Sequence, residues 1–246
     1  MATDFTLDGY RALLEAFFTR GYEARGFDDV ELGAKHLIVR HDLDMTIQAA
    51  VPMGELEHKM GVRTTYFVLV RSELYNPFSA AGGRDLRRLV DWGHTIGLHF
   101  NASLYPVDRA SLDRGAASEC AVLETIIGQP VKLVSLHRPG KSAQGELICS
   151  AQAPLGGRRH ADDLIYFHDM AYRSDSRGGW HYGHPLDHPA VTEGRAVELL
   201  THPIWWTVPA ADPPAKLVHF LDQRVQFLDQ ELAANCSVHK PNRNPQ

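Results

Sequence analysis

The chain has 246 residues, of which 44% are hydrophobic and 22% are charged, and its formal net charge at pH 7 is −5. This length suits one large α/β domain or two small ones, and the acidic balance argues against nucleic-acid or anionic-membrane partners. No apolar run approaches the roughly 18 residues of a membrane span, and no basic region followed by an apolar core opens the sequence. We therefore expect a cytoplasmic protein without a transmembrane segment.

Strand-like and helix-like segments alternate along the chain, which predicts a parallel sheet, open or closed into a barrel. Strands are predicted at 36–40, 64–70, 94–100, 131–135 and 197–201. Helices are predicted after the N-cap Thr6, at 49–60, at 85–90 after a Gly82-Gly83 loop, at about 108–128, and after Pro213-Pro214. We assign residues 1–236 to a single domain and residues 237–246 to a disordered tail. The last helix carries Leu217, Leu221, Val225, Leu228 and Leu232 on one face.

Polar side chains gather where these strands end, which is the edge of a parallel sheet that carries chemistry. Asp42 and Asp44 follow the first of these strands, His99 ends the third, and His137 and His202 follow the fourth and the last. The two aspartates lie two positions apart and face the same side, where they repel unless a cation or a shared proton compensates them. A metal-bound water, with one Asp as ligand and the other as base, is one interpretation. An Asp pair that caps the next helix is the other, and the motif alone leaves both open.

Taken in order, short motifs resemble those of the NodB-homology polysaccharide deacetylases, carbohydrate esterase family 4. The resemblance implies a single-domain, distorted (β/α)7-type barrel. The motifs span residues 37–206 and are His41-Asp42-Leu43-Asp44, Gly93-His94-Thr95-Ile96-Gly97-Leu98-His99, His137-Arg138-Pro139, Asp175 with Trp180, and Leu200-Thr201-His202.

The same resemblance implies a role for each of these residues. Asp42 is the general base, and Asp44 and His99 bind a divalent metal, for which Zn²⁺ is the favoured ion. Arg138 orients and charge-stabilises the base. His202 is the general acid, and Asp175 is the carboxylate that holds it. Leu200 lines the acyl pocket, and Trp180 lies in the substrate cleft. Trp205 and Trp206 either stack on a sugar ring or pack in the core.

One departure from the family pattern concerns the third metal ligand. The second motif of the family normally has another His four residues after the first, and this position is Ser103 here. A neutral hydroxyl is a poor replacement for imidazole on Zn²⁺. His137 is our preferred substitute because it leaves a strand at the same barrel end, with the amide oxygen of Asn101 as the alternative. His137 as a hydrogen bonder outside the metal's ligand set also remains open.

The resemblance predicts a metal-dependent hydrolase of an amide C–N bond, in the first instance an N-deacetylase. Its substrate would be an acetylated amino sugar or its conjugate, and nucleic acid is not expected as a partner. The alternative is a catalytically inactive barrel that serves as a carbohydrate-binding or regulatory protein. Substrate identity and oligomeric state do not follow from the sequence.

Overall fold

The computed structural model describes residues 5–137, 154–161 and 170–241. The chain forms two compact units, residues 1–207 and 208–246. The first unit carries the strands, which are β1 (Glu23–Arg25), β2 (His36–Leu43), β3 (Thr65–Val68), β4 (Thr95–Phe100), β5 (Leu133–Leu136), β6 (Arg159–His160), β7 (Ala171–Ser174) and β8 (Val197–Thr201). Its helices are α1 (Leu7–Thr19), α2 (Ala50–Lys59), α3 (Ala80–Asp91), α4 (Arg109–Ile127), α5 (Pro189–Glu193) and α6 (Pro203–Thr207).

All paired strands of the sheet run parallel, in the order β6-β5-β4-β3-β2-β8-β7. Strand β1 pairs with the first residues of β2, along the same edge of β2 that pairs with β3 further on. Within the described ranges β6 and β7 do not pair, so the sheet is open between them. Ala161, just after β6, and Met170, just before β7, nevertheless share one apolar cluster with Ile38, Phe67 and Leu133. The sheet is therefore curled until its two ends face the same interior. This confirms the predicted α/β class and the distorted barrel.

Local signals explain most helix boundaries. Thr6 and Asp108 cap α1 and α4 through their side chains, and Gly128 ends α4 in the left-handed region at φ +71°. The prediction for α3 was wrong at its start, because Gly82-Gly83 lies inside the helix rather than in the preceding loop. The Ser79 hydroxyl accepts from the Gly82 N–H at 3.0 Å and starts the helix early. A Cβ at Gly82 would lie 2.5 Å from the Asn76 carbonyl oxygen, so this tight helix start requires glycine.

Strand β2 is buried along its whole length, and its two faces have different roles. The Arg40 guanidinium lies 5.1 Å from the centroid of the Phe67 ring, inside the curled sheet. Asp42 faces the same interior, because side chains two apart on a strand share a face. His41 lies on the opposite face, where its ring contacts Tyr10 of α1 and Glu57 of α2. The strand therefore presents its ionisable side chains to two separate environments.

A fully buried carboxylate, Glu57, joins the outer face of the sheet to the helices. Its two oxygens accept hydrogen bonds from the hydroxyls of Tyr10, Thr64 and Tyr66, at 2.5 Å, 2.9 Å and 2.6 Å. Its Oε1 atom also lies 2.7 Å from Nε2 of His41. Burial alone would raise the pKa of Glu57, but the neighbouring His41 lowers it below its ordinary value. The folded state therefore stabilises the charged form of Glu57.

Glu57→Gln is expected to lower the free energy of unfolding by about 3–5 kcal/mol, because it breaks a buried, hydrogen-bonded charge pair. The depressed folded-state pKa of Glu57 means that its contribution is present above the unfolded pKa, about 4.3, and is lost as pH falls through the folded value. Urea unfolding over a pH series should therefore show a weaker acid dependence for the variant. Glu55→Gln, on the same helix but with a side chain 42% exposed and paired with Lys59, is the control and should change little. Equal losses in the two variants would contradict this role for Glu57.

The second unit consists of the helix α7 (Pro213–Asn235) and the residues that flank it. The side chain of Asp212 caps the helix by accepting from the Ala215 N–H at 2.8 Å. After the helix, His239 contacts Asp229 at 2.7 Å, and residues 242–246 lie outside the described ranges. The predicted helix is confirmed, whereas the single domain of residues 1–236 and the disordered tail stay predictions. Among the described helices, none is both long and apolar enough for a membrane span.

Candidate active site

Three side chains of the kinds that can bind metal converge at the carboxyl ends of neighbouring strands. Asp44 follows β2, His99 lies in β4, and His137 follows β5. The Asp44 Oδ1 atom lies 3.1 Å from His99 Nε2 and 3.1 Å from His137 Nδ1, and the two nitrogens are 3.1 Å apart. The three atoms thus form a nearly equilateral triangle. The structure brings together the two ligands predicted from the motifs and the preferred substitute for the missing one.

This triangle fits a divalent transition metal. Metal–ligand bonds of about 2.0–2.2 Å place neighbouring ligand atoms about 3.0 Å apart in octahedral and about 3.4 Å apart in tetrahedral sites. One shared proton could join only two of the three atoms in a hydrogen bond, whereas one cation could bind all three. Asp44 Oδ1 is buried and has no partner with hydrogen-bond geometry within the described part of the chain. Two imidazoles and one carboxylate are also a common donor set for Zn²⁺.

The imidazole of His99 is held by a buried serine that the sequence analysis did not identify. His99 Nδ1 lies 2.7 Å from Ser135 Oγ, and Ser135 is fully buried in β5 opposite His99 in the strand register. A His that binds metal through Nε2 carries its proton on Nδ1, so Ser135 would accept that proton in a hydrogen bond. Ser135 also lies two positions before His137 and shares its face. This spacing is the signal that could have identified it.

Ser135→Ala is expected to weaken metal affinity by about 10- to 100-fold, because the hydrogen bond that orients His99 is lost. Competition titration against a metal-binding dye measures this change directly. Ser103→Ala is the matched control, since the Ser103 hydroxyl donates to Asn101 Oδ1 at 2.7 Å and takes no part in the triangle. Equal affinities for the Ser135→Ala variant and the unmodified chain would contradict the orienting role.

Asp42 lies beside the triangle, and Arg40 of the same strand holds its carboxylate. Its Oδ2 atom accepts from Arg40 at 3.1 Å and lies 3.7 Å from His99 Nε2. Arg40 also contacts Glu198 of β8 at 3.2 Å, so one guanidinium bridges two buried carboxylates. Asp42 Oδ1 is buried and makes no hydrogen bond within the described ranges. One oxygen of Asp42 is therefore fixed, and the other is available to a proton donor.

The proposal that the Asp pair caps the next helix is wrong. The N-cap of α2 is Ala49, and no side chain caps this helix. Asp44 instead contacts the imidazoles of His99 and His137, which lie on other strands. Burial alone would raise the pKa of Asp44, but these two imidazoles lower it well below its usual range. Asp44 is therefore a carboxylate at any physiological pH.

A second histidine–aspartate pair faces the triangle from β8 and the segment after β7. His202 Nδ1 lies 2.6 Å from Asp175 Oδ1, and the backbone N–H of His202 donates to the same carboxylate. Asp175 is fully buried and also accepts from Trp206 Nε1 at 2.7 Å. The other ring nitrogen of His202, Nε2, lies 3.8 Å from Asp44 Oδ2. His202 is therefore anchored on one side and directed at the triangle on the other.

The charge state of His202 follows from its neighbours. Burial alone would lower the pKa of His202, but Asp175 and, at greater distance, Asp44 and Asp42 raise it from 6.5 to about 9. The imidazole is consequently protonated at neutral pH. A protonated imidazole beside a carboxylate-rich site is suited to donate a proton to a leaving group.

A cavity of about 500 Å³ opens beside Asp44 and His137. The loop that follows β3 forms one wall, with Arg71, Ser72 and Glu73, and Asn101 lies on its lining. The sequence analysis assigned no function to this loop, which carries no motif of its own. The cavity places polar side chains within reach of a ligand bound at the triangle.

The other predicted residues are placed as follows. Arg138 lies outside the described residues. Leu200 is buried in β8, two positions before His202, and Trp180 stacks in an aromatic cluster with Phe5 and Trp206. Trp205 and Trp206 are buried, so they pack rather than offer a face to a sugar. Asn101 uses its amide oxygen for the backbone and hydroxyl of Ser103, which leaves His137 as the third member of the triangle.

No protein-family model matches the sequence, and no curated protein matches it. Solved structures similar to this chain include members of carbohydrate esterase family 4, the family that the motifs resemble. A CE4 family pseudoenzyme from Bacillus anthracis is 13% identical over 82% of this chain, with a TM-score of 0.47, and the match spans 63% of its length. A family 4 carbohydrate esterase from Bacillus anthracis is 17% identical over 89% of this chain and 86% of its own, with a TM-score of 0.44. A family 4 carbohydrate esterase from Streptomyces lividans, in complex with acetate, is 13% identical over 77% of this chain and 85% of its own, with a TM-score of 0.41.

Proposed function

We propose that this chain hydrolyses an amide C–N bond with a divalent metal, preferably Zn²⁺, held by Asp44, His99 and His137. We further propose that it is an N-deacetylase of an acetylated amino sugar or its conjugate. The observation that carries the proposal is the triangle of donor atoms at 3.1 Å, with Asp42 on one side and His202 on another. A base, a metal site and an acid are the three parts that metal-dependent amide hydrolysis uses. The ordered motifs support the choice of an acetyl group.

Two different side chains carry out the two proton transfers of the reaction. When bound, the cation lowers the pKa of water and polarises a carbonyl oxygen. Asp42 Oδ1 accepts the proton of the attacking water, while Arg40 holds Oδ2 and keeps the carboxylate oriented. His202 Nε2 donates a proton to the departing amine, and Asp175 holds Nδ1. This donation is needed because an amine anion is too basic to leave unprotonated.

The cavity beside the triangle supports a substrate of small-molecule size. Its volume of about 500 Å³ lies within the range of ligand pockets, about 300–1,000 Å³. Asn101, Ser72 and Glu73 on its lining offer hydrogen bonds of the kind that sugar hydroxyls use. In a carbohydrate conjugate, the group linked to the sugar would extend out of this cavity.

Two measurements on the purified chain test the proposal. Elemental analysis should find about one equivalent of metal, and acetate should be released from at least one N-acetylated amino sugar, free or linked to a nucleotide or lipid. His137→Ala should lower the metal content, and Asp91→Asn, on the exposed end of α3, should leave both readouts unchanged. Absence of metal after reconstitution with Zn²⁺, Co²⁺ or Ni²⁺ would overturn the metal-dependent mechanism.

The alternative, an inactive barrel that binds carbohydrate, derives its support from Ser103 in place of the second histidine of the family pattern. In an inactive barrel of this kind, a basic side chain is expected to occupy the position of the metal. Among the described residues no Lys or Arg lies within ion-pair distance of Asp44, whose partners are imidazoles. Saturable sugar binding without acetate release, by the metal-loaded chain, would favour the alternative over hydrolysis.

A further inference from the structure

Helix α7, in the unit of residues 208–246, has an apolar face that is exposed. Five side chains along it, each exposed by 37–58%, recur with alternating steps of three and four residues. These side chains are Val218, Leu221, Val225, Leu228 and Leu232. Alternating steps of three and four are the spacing of the a and d positions in a coiled coil, whose seam repeats every 3.5 residues. The face is therefore patterned for a partner helix.

We propose that α7 pairs with α7 of a second copy of this chain in a parallel, two-stranded coiled coil. In the heptad, Val218, Val225 and Leu232 occupy a positions, so two of the three are β-branched, and Leu221 and Leu228 occupy d positions. A β-branched residue at a with leucine at d favours two parallel strands. A symmetric dimer also needs one patch that complements itself, and a heptad seam meets this condition.

Charges beside the seam select a second copy in the parallel orientation. Arg224 occupies a g position, and Asp222 and Asp229 occupy e positions. In a parallel pair Arg224 faces Asp229 of the second copy, twice by symmetry, and no like charges meet. An antiparallel pair that sets Asp222 against Asp229 of the second copy would also set Arg224 against Glu231, so its attractions and repulsions would offset each other, whereas the parallel pair gains attractions alone. Asp229 already accepts from His239 through Oδ1, so Oδ2 is the oxygen directed to the partner's guanidinium.

A membrane surface fits this helix less well than a second copy. Helices that bind anionic lipid surfaces carry many Lys and Arg on their polar face. Here three acidic residues (Asp222, Asp229 and Glu231) outnumber two basic ones, Lys216 and Arg224. A strict seam of a and d positions is also narrower than the apolar face that lipid binding requires.

Sedimentation equilibrium of the full chain over a concentration series tests the proposal. The unmodified chain should show a monomer–dimer equilibrium. Leu221→Gln with Leu228→Gln should raise the dimer dissociation constant by about 100-fold or more, because four buried leucines are lost per dimer. Val238→Gln is the control: Val238 is an exposed apolar residue beyond the end of the helix, so its loss should leave the constant unchanged, whereas Phe227 is unsuitable because the Arg224 guanidinium lies 4.9 Å from its ring centroid. Circular dichroism would verify that each variant is folded.

Charge exchange tests the parallel pairing separately. Arg224→Asp alone should weaken the dimer roughly tenfold, because two attractions become two repulsions. Adding Asp229→Arg should restore most of the affinity in a parallel dimer, whereas adding Glu231→Arg instead should restore affinity only in an antiparallel dimer, in which residue 231 faces residue 224. A monomer at every concentration would overturn the proposal, as would equal effects of the seam and Val238 variants. Failure of the charge exchange to restore binding would overturn the parallel arrangement.

Discussion

Asp44→Asn is expected to abolish stoichiometric metal binding and amide hydrolysis together, whereas Asp42→Asn should abolish hydrolysis and keep the metal. Asp44 contributes the only carboxylate oxygen of the 3.1 Å triangle, and a neutral amide replaces it poorly. Asp42 lies beside the triangle, with Oδ2 on Arg40, so its loss removes the proton acceptor. Loss of a general base lowers turnover by about 10²- to 10⁴-fold. Metal content and acetate release, measured on the same preparations, separate the two roles.

The exposed Asp91 at the end of α3 supplies the control for this pair, because Asp91→Asn changes the same charge far from the site. If Asp42→Asn lost its metal as completely as Asp44→Asn, Asp42 would be a ligand and the assignment of the base would be wrong. Retention of metal by Asp44→Asn would instead remove Asp44 from the ligand set.

His202→Gln should lower amide hydrolysis by about 10²- to 10⁴-fold and affect an activated ester far less. An amine leaves only when protonated, whereas a phenolate of low pKa leaves without help from an acid. The comparison of an N-acetyl substrate with an aryl acetate on the same variant therefore isolates the acid step. Equal losses with both substrates would assign His202 to binding or folding instead. His181→Gln, at an exposed position, controls for the loss of one imidazole.

The pH profile gives a second readout of the same histidine. Because the carboxylates around His202 raise its pKa to about 9, the acid form persists through neutral pH and is lost as pH rises through that value. A divalent cation held by Asp44 would lower this pKa, so the kcat/KM of the metal-loaded chain for the amide should fall at or below about pH 9. The residual activity of His202→Gln should lack this alkaline limb. An alkaline limb of unchanged position in the variant would assign it to another group.

Much of the fold could be predicted because it depends on interactions between residues close in sequence. The cap Thr6, the start of a helix near Asp108, the terminating Gly128 and the apolar run before Asp42 each depend on residues within a few positions, and all lie where they were expected. The start of α3 was missed because glycine pairs usually indicate loops. Here Gly82 is required by the approach of the Asn76 carbonyl, which composition does not reveal.

The candidate site, like the fold, could be predicted only in part from the sequence. The sequence by itself determined which residue types follow the strands, and hence that carboxylates and imidazoles would meet at one edge of a parallel sheet. Only the tertiary structure showed that His137, rather than Asn101, lies beside Asp44 and His99, because this depends on the pairing of β4 with β5 and on where the Asn101 amide turns. It also brought Ser135 to His99, Trp206 to Asp175 and Arg40 between two carboxylates. These contacts join residues from separate strands and helices, and their distances depend on sheet register and curvature, which no local pattern encodes.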